Sequence, residues 1–146
     1  HLCKDAIEKS ISVPFLHIAH ATAEAISLYG LTKVALLGTK FTMEKDFYKR
    51  EIEENYDIKV IVPDSGDRDI IHGIIYQELI KGIISEESRD RFKVIINSLR
   101  EQGAEGVILG CTEIPLLIRE GDVDIPIFDT TKIHAYKAVD FAIKDN

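Results

Sequence analysis

The sequence predicts an α/β fold built on a mostly parallel sheet with helices on both faces. Short apolar runs (Val34-Ala-Leu-Leu37, Ile58 to Val62, Val107-Ile-Leu109) alternate with longer segments whose apolar residues recur at helical spacing. Those runs are apolar without alternation, the pattern of strands buried on both faces. The 146 residues also contain no linker, low-complexity tract or short-period repeat, and that length buries a core of its own.

Taken in order, residues 1–10 read as a helix with Leu2, Ala6 and Ile7 on one face. Val13-Pro-Phe-Leu-His-Ile18 reads as a short strand, and Ala21 to Tyr29 as a helix stopped by Gly30. The strand Val34 to Leu37 ends in Gly38-Thr39, and Thr42 is the expected N-cap of a helix running to about Tyr56. Ile58 to Val62 is the next strand, closed by Pro63. Asp67 opens a helix carrying Ile70, Ile71, Ile74, Ile75 and Leu79, which Gly82 ends. Ser85 starts another, with Phe92, Ile95, Ile96 and Leu99 inward and a stop at Gly103. After the strand at Val107, Ile125-Pro-Ile-Phe128 is a short strand, and Asp129 or Thr130 caps a last helix through Ala142. The runs at Val13 and Ile125 are both proline-marked and followed by helices, as pseudo-equivalent parts of a larger molecule would be.

A net charge of −7 argues against nucleic acid or an anionic membrane as the main partner. No apolar stretch reaches the roughly 18 residues of a membrane helix. Cys3 and Cys111 make no disulfide framework and suit a reducing, cytoplasmic setting. The opening His1-Leu-Cys-Lys has neither a signal-peptide pattern nor an initiator Met, as expected of a chain cut or begun internally.

Chemistry concentrates where strands end. Gly106-Val-Ile-Leu-Gly-Cys111-Thr112-Glu113-Ile114-Pro115 is a buried strand, a glycine and a thiol, then residues that suit the first turn of a helix. Ligands of open α/β sheets sit outside the carboxyl ends of strands, so Cys111 is placed where substrates go. The positive end of the following helix is expected to favour its thiolate. An inert core cysteine is the competing reading; the strand-end position and polar neighbours weigh against it. Gly38-Thr39-Lys40-Phe41-Thr42 is a second strand end, where Thr39 and Thr42 offer hydroxyls to a carboxylate, or merely cap a helix. Lys81, just before Gly82, is a candidate cation for an acidic ligand, with a solvated surface lysine as the alternative. Histidines 17, 20, 72 and 134 have no metal-ligand spacing, a pairing of Cys111 with His134 is a weak signal, and no phosphate-binding glycine loop is present.

Together these segments resemble the aspartate/glutamate racemase family. Gly110-Cys111-Thr112-Glu113 is similar to its second-cysteine motif. Leu36-Leu-Gly-Thr39-Lys-Phe-Thr42-Met43 with Asp46-Phe-Tyr48 resembles its middle motif, and Phe128-Asp-Thr130-Thr-Lys-Ile-His134 its C-terminal signature. Pro14-Phe-Leu-His17-Ile and Glu78-Leu-Ile-Lys81-Gly82 fit as well, so the likeness runs the whole length of the chain.

The resemblance implies two similar α/β domains with the active site in the cleft between them, each contributing one cysteine. On this expectation residues 13–112 form one Rossmann-like racemase domain, and residues 1–12 and 113–146 are remnants of the other. His1 matches the last residue of the first-cysteine signature, which places the first catalytic cysteine upstream; Cys3 is expected to be a buried core residue. His20 departs from the family, which commonly has Asp there. The implied activity is cofactor-independent, metal-free racemisation of aspartate or glutamate by two-base proton transfer, in a homodimer. Cys111 would be the base or acid on one face, with Thr39, Thr42 and Thr112 on the α-carboxylate. Lys81 would meet the distal carboxylate, and Glu113 would tune Cys111 or bind the ammonium group. A dicarboxylate- or amino-acid-binding module, or a related isomerase or hydantoin racemase, is the alternative. The 146-residue piece alone is expected to be inactive.

Overall fold

A computed structural model describes residues 3–144. His1 and Leu2, on which the signature match and part of the first helical face rest, lie outside the described residues. The four strands are β1 (Lys33–Leu37), β2 (Lys59–Ile61), β3 (Val107–Leu109) and β4 (Ile127–Asp129). They form one parallel sheet in the order β2-β1-β3-β4. Helices are α1 (Lys4–Glu8), α2 (Ile18–Leu28), α3 (Lys40–Glu44), α4 (Asp46–Tyr56), α5 (Ser65–Gln77), α6 (Glu86–Glu101), α7 (Ile114–Leu117) and α8 (Thr130–Lys144), with a 3-10 turn at Leu79–Lys81.

Period-two alternation along β1 splits the core in two. Val34 and Leu36 join Val60, Ile108 and Phe128 on one face, under Ala19, Ala23 and Ile26 of α2 and Ile52 of α4. Ala35 and Leu37 join Val107 and Leu109 on the other, under Ile71, Ile74 and Ile75 of α5 and Phe92, Ile96 and Leu99 of α6. Residues continuously apolar in sequence are therefore apolar towards two helical layers. The helix ends follow local chemistry: Asp64 accepts from the Asp67 amide, Ser85 from the Ser88 amide, and Gly82 ends its turn in the left-handed region at φ 74°.

Several expectations are corrected. Residues 13–17 are not a strand; they lead irregularly into α2, whose N-cap is His17, its Nδ1 accepting from the Ala19 amide. Thr39 rather than Thr42 caps the helix after β1, and that helix breaks at Lys45, which is extended, so α3 and α4 replace one long helix. Cys3 is exposed, not buried. Leu109 pairs with Asp129 in the β3–β4 register, and Ile133 of α8 packs on the same core as α2. Backbone hydrogen bonding along β3 places β4 at the edge of the sheet. No helix among the described residues is long and apolar enough to cross a membrane.

His20, the family departure, joins three helices. The Glu51 carboxylate on α4 bonds both the Lys4 ammonium on α1 and His20 Nε2 on α2, and the Tyr56 hydroxyl meets His20 Nδ1 at 3.2 Å.

Candidate active site

Strand order decides where a site can form. From β1 the chain passes through α3 and α4 to β2 on one side, then through α5 and α6 to β3 on the other. The connections diverge there, at the carboxyl ends of β1 and β3, which is where open α/β sheets bind their ligands. Gly38-Thr39 forms one lip there and Gly110-Cys111 the other.

The two lips touch. The Gly110 amide donates to the Leu37 carbonyl at 2.7 Å. A Cβ on Gly38 would lie 3.3 Å from the Gly110 oxygen, and one on Gly110 would lie 3.3 Å from Thr42 Cγ2. Glycine at both positions thus permits the close approach, and the Thr42 methyl fills the floor beneath them. Thr39 Oγ1 accepts from the Thr42 amide at 3.3 Å, and the two hydroxyls lie 3.2 Å apart. One such hydroxyl pair presents both a donor and an acceptor to a ligand.

On the opposite lip the half-buried Cys111 thiol donates to Glu113 Oε2 at 2.9 Å. Burial, and then this bond to a carboxylate, push the thiol up to about 11 from its ordinary 9.0. That reverses the expected stabilisation of the thiolate. The helix that follows Cys111 has only four residues and begins at Ile114, so the nearest charge is the Glu113 carboxylate. Glu113 is held below the usual carboxylate range, first by the Cys111 bond and next by Thr112. The pair is therefore a protonated thiol on an ionised carboxylate, a proton donor at neutral pH.

The fold brings Thr39, Thr42, Cys111, Thr112 and Glu113 to one rim. Lys81 is exposed on the 3-10 turn that packs against α7, and its ammonium makes no ion pair within the described residues. His134 is directed elsewhere: its Nε2 meets the Leu16 carbonyl at 2.9 Å. Two rim residues escaped the sequence reading. His72 Nδ1 accepts from the Lys40 amide at 3.3 Å, and Thr130 Oγ1 donates to the Leu109 carbonyl at 2.9 Å. Both bonds join residues far apart in the chain, where no sequence spacing signals them. Among the described residues no three His, Cys, Asp or Glu side chains converge as metal ligands. A cavity of about 510 Å³ lies beside β4 between α2 and α8, with Tyr29, Lys132 and Tyr136 in its wall. Leu109 and Pro115 reach it but Cys111 does not, so the placement of the site rests on side-chain chemistry and not on the size of a void.

The sequence model of the Asp/Glu/hydantoin racemase family matches residues 1–138. A broad-specificity amino-acid racemase of Bacillus subtilis (strain 168) is 25% identical over 146 residues, covering 95% of this chain and 59% of that protein. A solved structure of a candidate Asp/Glu racemase from Yersinia pestis is 49% identical with a TM-score of 0.92, over 96% of this chain and 61% of that one. An aspartate racemase homologue from Pyrococcus horikoshii OT3 is 40% identical with a TM-score of 0.92, over 97% and 62%. The chain thus spans about three fifths of the length of these relatives.

Proposed function

Because the chain belongs to the Asp/Glu/hydantoin racemase family, we propose that the protein takes part in cofactor-independent racemisation of an acidic amino acid, aspartate or glutamate. Cys111 is one of its two proton-transfer groups. The observation that carries this reading is the Cys111 thiol held on the Glu113 carboxylate at the β1–β3 strand ends, opposite the Thr39–Thr42 hydroxyl pair.

In this reading a base on the far side of the substrate takes the α-proton as the Cα–H bond breaks. Cys111 delivers its own proton to the opposite face, forming a new Cα–H bond and leaving a thiolate. A thiol's ordinary pKa lies close enough to the working pH to serve as acid or base, but the resting site favours the protonated form. Glu113 keeps the resting thiol protonated; in the reverse direction Cys111 must first become the thiolate, which desolvation and Glu113 both oppose. Thr39, Thr42 and Thr112 hold the α-carboxylate, and Lys81 meets the distal one. Preorganised donors at the α-carboxylate, into which the carbanion's charge spreads, stabilise that charge as it develops. The second base is supplied by a residue upstream of His1 in a longer protein, in a first domain that closes over this rim. The working form is a cytoplasmic homodimer.

The test is incubation of the natural full-length protein with single enantiomers of aspartate and of glutamate in deuterated water, followed by mass spectrometry. Deuterium at Cα together with inversion is the expected outcome. If neither amino acid gains α-deuterium, the assignment to acidic amino acids fails. Tight dicarboxylate binding without exchange would instead identify a binding module.

A further inference from the structure

The peptide unit between Leu109 and Gly110 is held at both of its polar atoms. Its N–H, carried by Gly110, donates to the Leu37 carbonyl at 2.7 Å. Its C=O, carried by Leu109, accepts from Thr130 Oγ1 at 2.9 Å, across 21 residues of chain. Leu109 pairs with Asp129 at the last position of the β3–β4 register, and Thr130 comes next as the first residue of α8. Thr130 is 3% exposed, so water cannot replace its hydroxyl.

We infer that Thr130 is a positioning residue for Cys111, an assignment that rests on reading Cys111 as a proton-transfer group. A peptide unit is planar and turns as a rigid plate. Held at its C=O edge by the Thr130 amide alone, which donates to Leu109 in the β3–β4 register, this one would turn about the soft dihedrals of Gly110, which lacks a Cβ to restrict them. Bonds from β1 on one side and α8 on the other fix the plate and, with it, the direction in which the chain leaves for Cys111. The thiol is one residue further on, and its bond to Glu113 is a geometric demand of the same order as the swing. Removing the hydroxyl leaves this buried carbonyl with the Thr130 amide, its donor in the β3–β4 register, as its one partner, and the plate turns towards that donor. Thr130 thereby sets the distance and angle between Cys111 Sγ and the Glu113 carboxylate without touching either.

The test compares Thr130→Ser, Thr130→Ala and Thr130→Val in the 146-residue chain carrying Cys3→Ser, so that Cys111 is its only thiol. The measurement is the rate of Cys111 alkylation by iodoacetamide as a function of pH, with circular dichroism as the check of folding. Thr130→Ser should superimpose on the parent. Thr130→Ala and Thr130→Val should change the rate at fixed pH by about 2- to 10-fold, the factor equivalent to one net hydrogen bond, and displace the pH profile. Serine and alanine at this position differ only in the hydroxyl, so this pair decides the matter even if the valine variant does not fold. The assignment is overturned if Thr130→Ser moves the profile as far as Thr130→Ala does, because methyl packing then explains it. It is equally overturned if the alanine variant is less stable but keeps the parent profile, or if only the serine variant folds. Since the readout is thiol chemistry, a full-length protein that fails to racemise would remove the proposed function and leave this comparison intact.

Discussion

Gly38 and Gly110 face each other across the ends of β1 and β3 with no room for a side chain on either. A Cβ on Gly110 would lie 3.0 Å from the Leu37 oxygen and 3.0 Å from Leu36 Cδ1. A Cβ on Gly38 would meet Thr42 Cβ and Cγ2, both at 3.1 Å. Backbone atoms and a β-branched side chain cannot yield cheaply, so the two lips stay in contact only while both positions are glycine.

Gly110→Ala should therefore destabilise the chain by ~1–3 kcal/mol, the usual cost of overpacking. Urea denaturation measures it. Gly73→Ala is the control: nothing lies within 4 Å of a Cβ there, and Gly73 is inside α5, so it should stabilise by ~0.5–1 kcal/mol. Equal effects of the two substitutions would dismiss the steric account.

Glu113→Gln should lower the Cys111 pKa. Desolvation is the larger cause of its rise to about 11 and the Glu113 bond the next, so the value should fall without reaching its ordinary level. In a Cys3→Ser background, alkylation of Cys111 at pH 8 should speed up. A slower reaction would mean that the carboxylate assists thiol ionisation.

Buried His17 is pushed down to about 4 from 6.5, chiefly by desolvation, with Glu51 opposing and His20 and Lys4 reinforcing it. A depressed folded value stabilises above the unfolded one, so this contribution is complete above pH 6.5 and is lost as pH falls towards 4. His17→Asn keeps an acceptor for the Ala19 amide but does not titrate. Its urea midpoint should fall less than the parent's between pH 7 and pH 4. Parallel curves would show that His17 is not the group responsible.

Cys111→Ser in the natural full-length protein should abolish racemisation while leaving circular dichroism unchanged. A hydroxyl is too weak an acid to replace the thiol at neutral pH. Deuteration of one enantiomer without inversion would show the other base still at work, whereas wild-type turnover would remove Cys111 from the mechanism.

Tyr136, Val139, Phe141 and Ile143 are exposed along α8, and Leu28 and Tyr29 are exposed at the end of α2. Apolar surface of this kind promotes association. Sedimentation velocity of the 146-residue chain should show concentration-dependent oligomers, and Val139→Glu with Ile143→Lys should shift them to monomer. A monodisperse parent chain would refute the expectation.

Features fixed by local chemistry were the ones readable in sequence. Ser85 and Gly82 mark helix ends through bonds and dihedrals within a few residues, and β1 and β3 announce themselves by unbroken apolar runs. Choices settled by distant partners were not readable. Thr39 and Thr42 are equally good caps in isolation; packing of the Thr42 methyl against Gly38 and Gly110 decides between them. The run at Val13 has strand composition but ends at His17, whose imidazole caps α2 instead. The Cys111 turn was legible as a place, yet its protonation state was not. A helix dipole was weighed for α7, and that helix is four residues long. The position of β4 hinged on pairing with β3, which no periodicity reports.

The order β2-β1-β3-β4 also sets a timetable. A chain emerging from its N-terminus can assemble β2, β1 and β3 with their covering helices before β4 and α8 have been made. The cysteine loop then exists, but the hydroxyl of Thr130 has yet to arrive. On the role inferred for Thr130, the setting of the thiol waits for β4 and α8 to dock against β3.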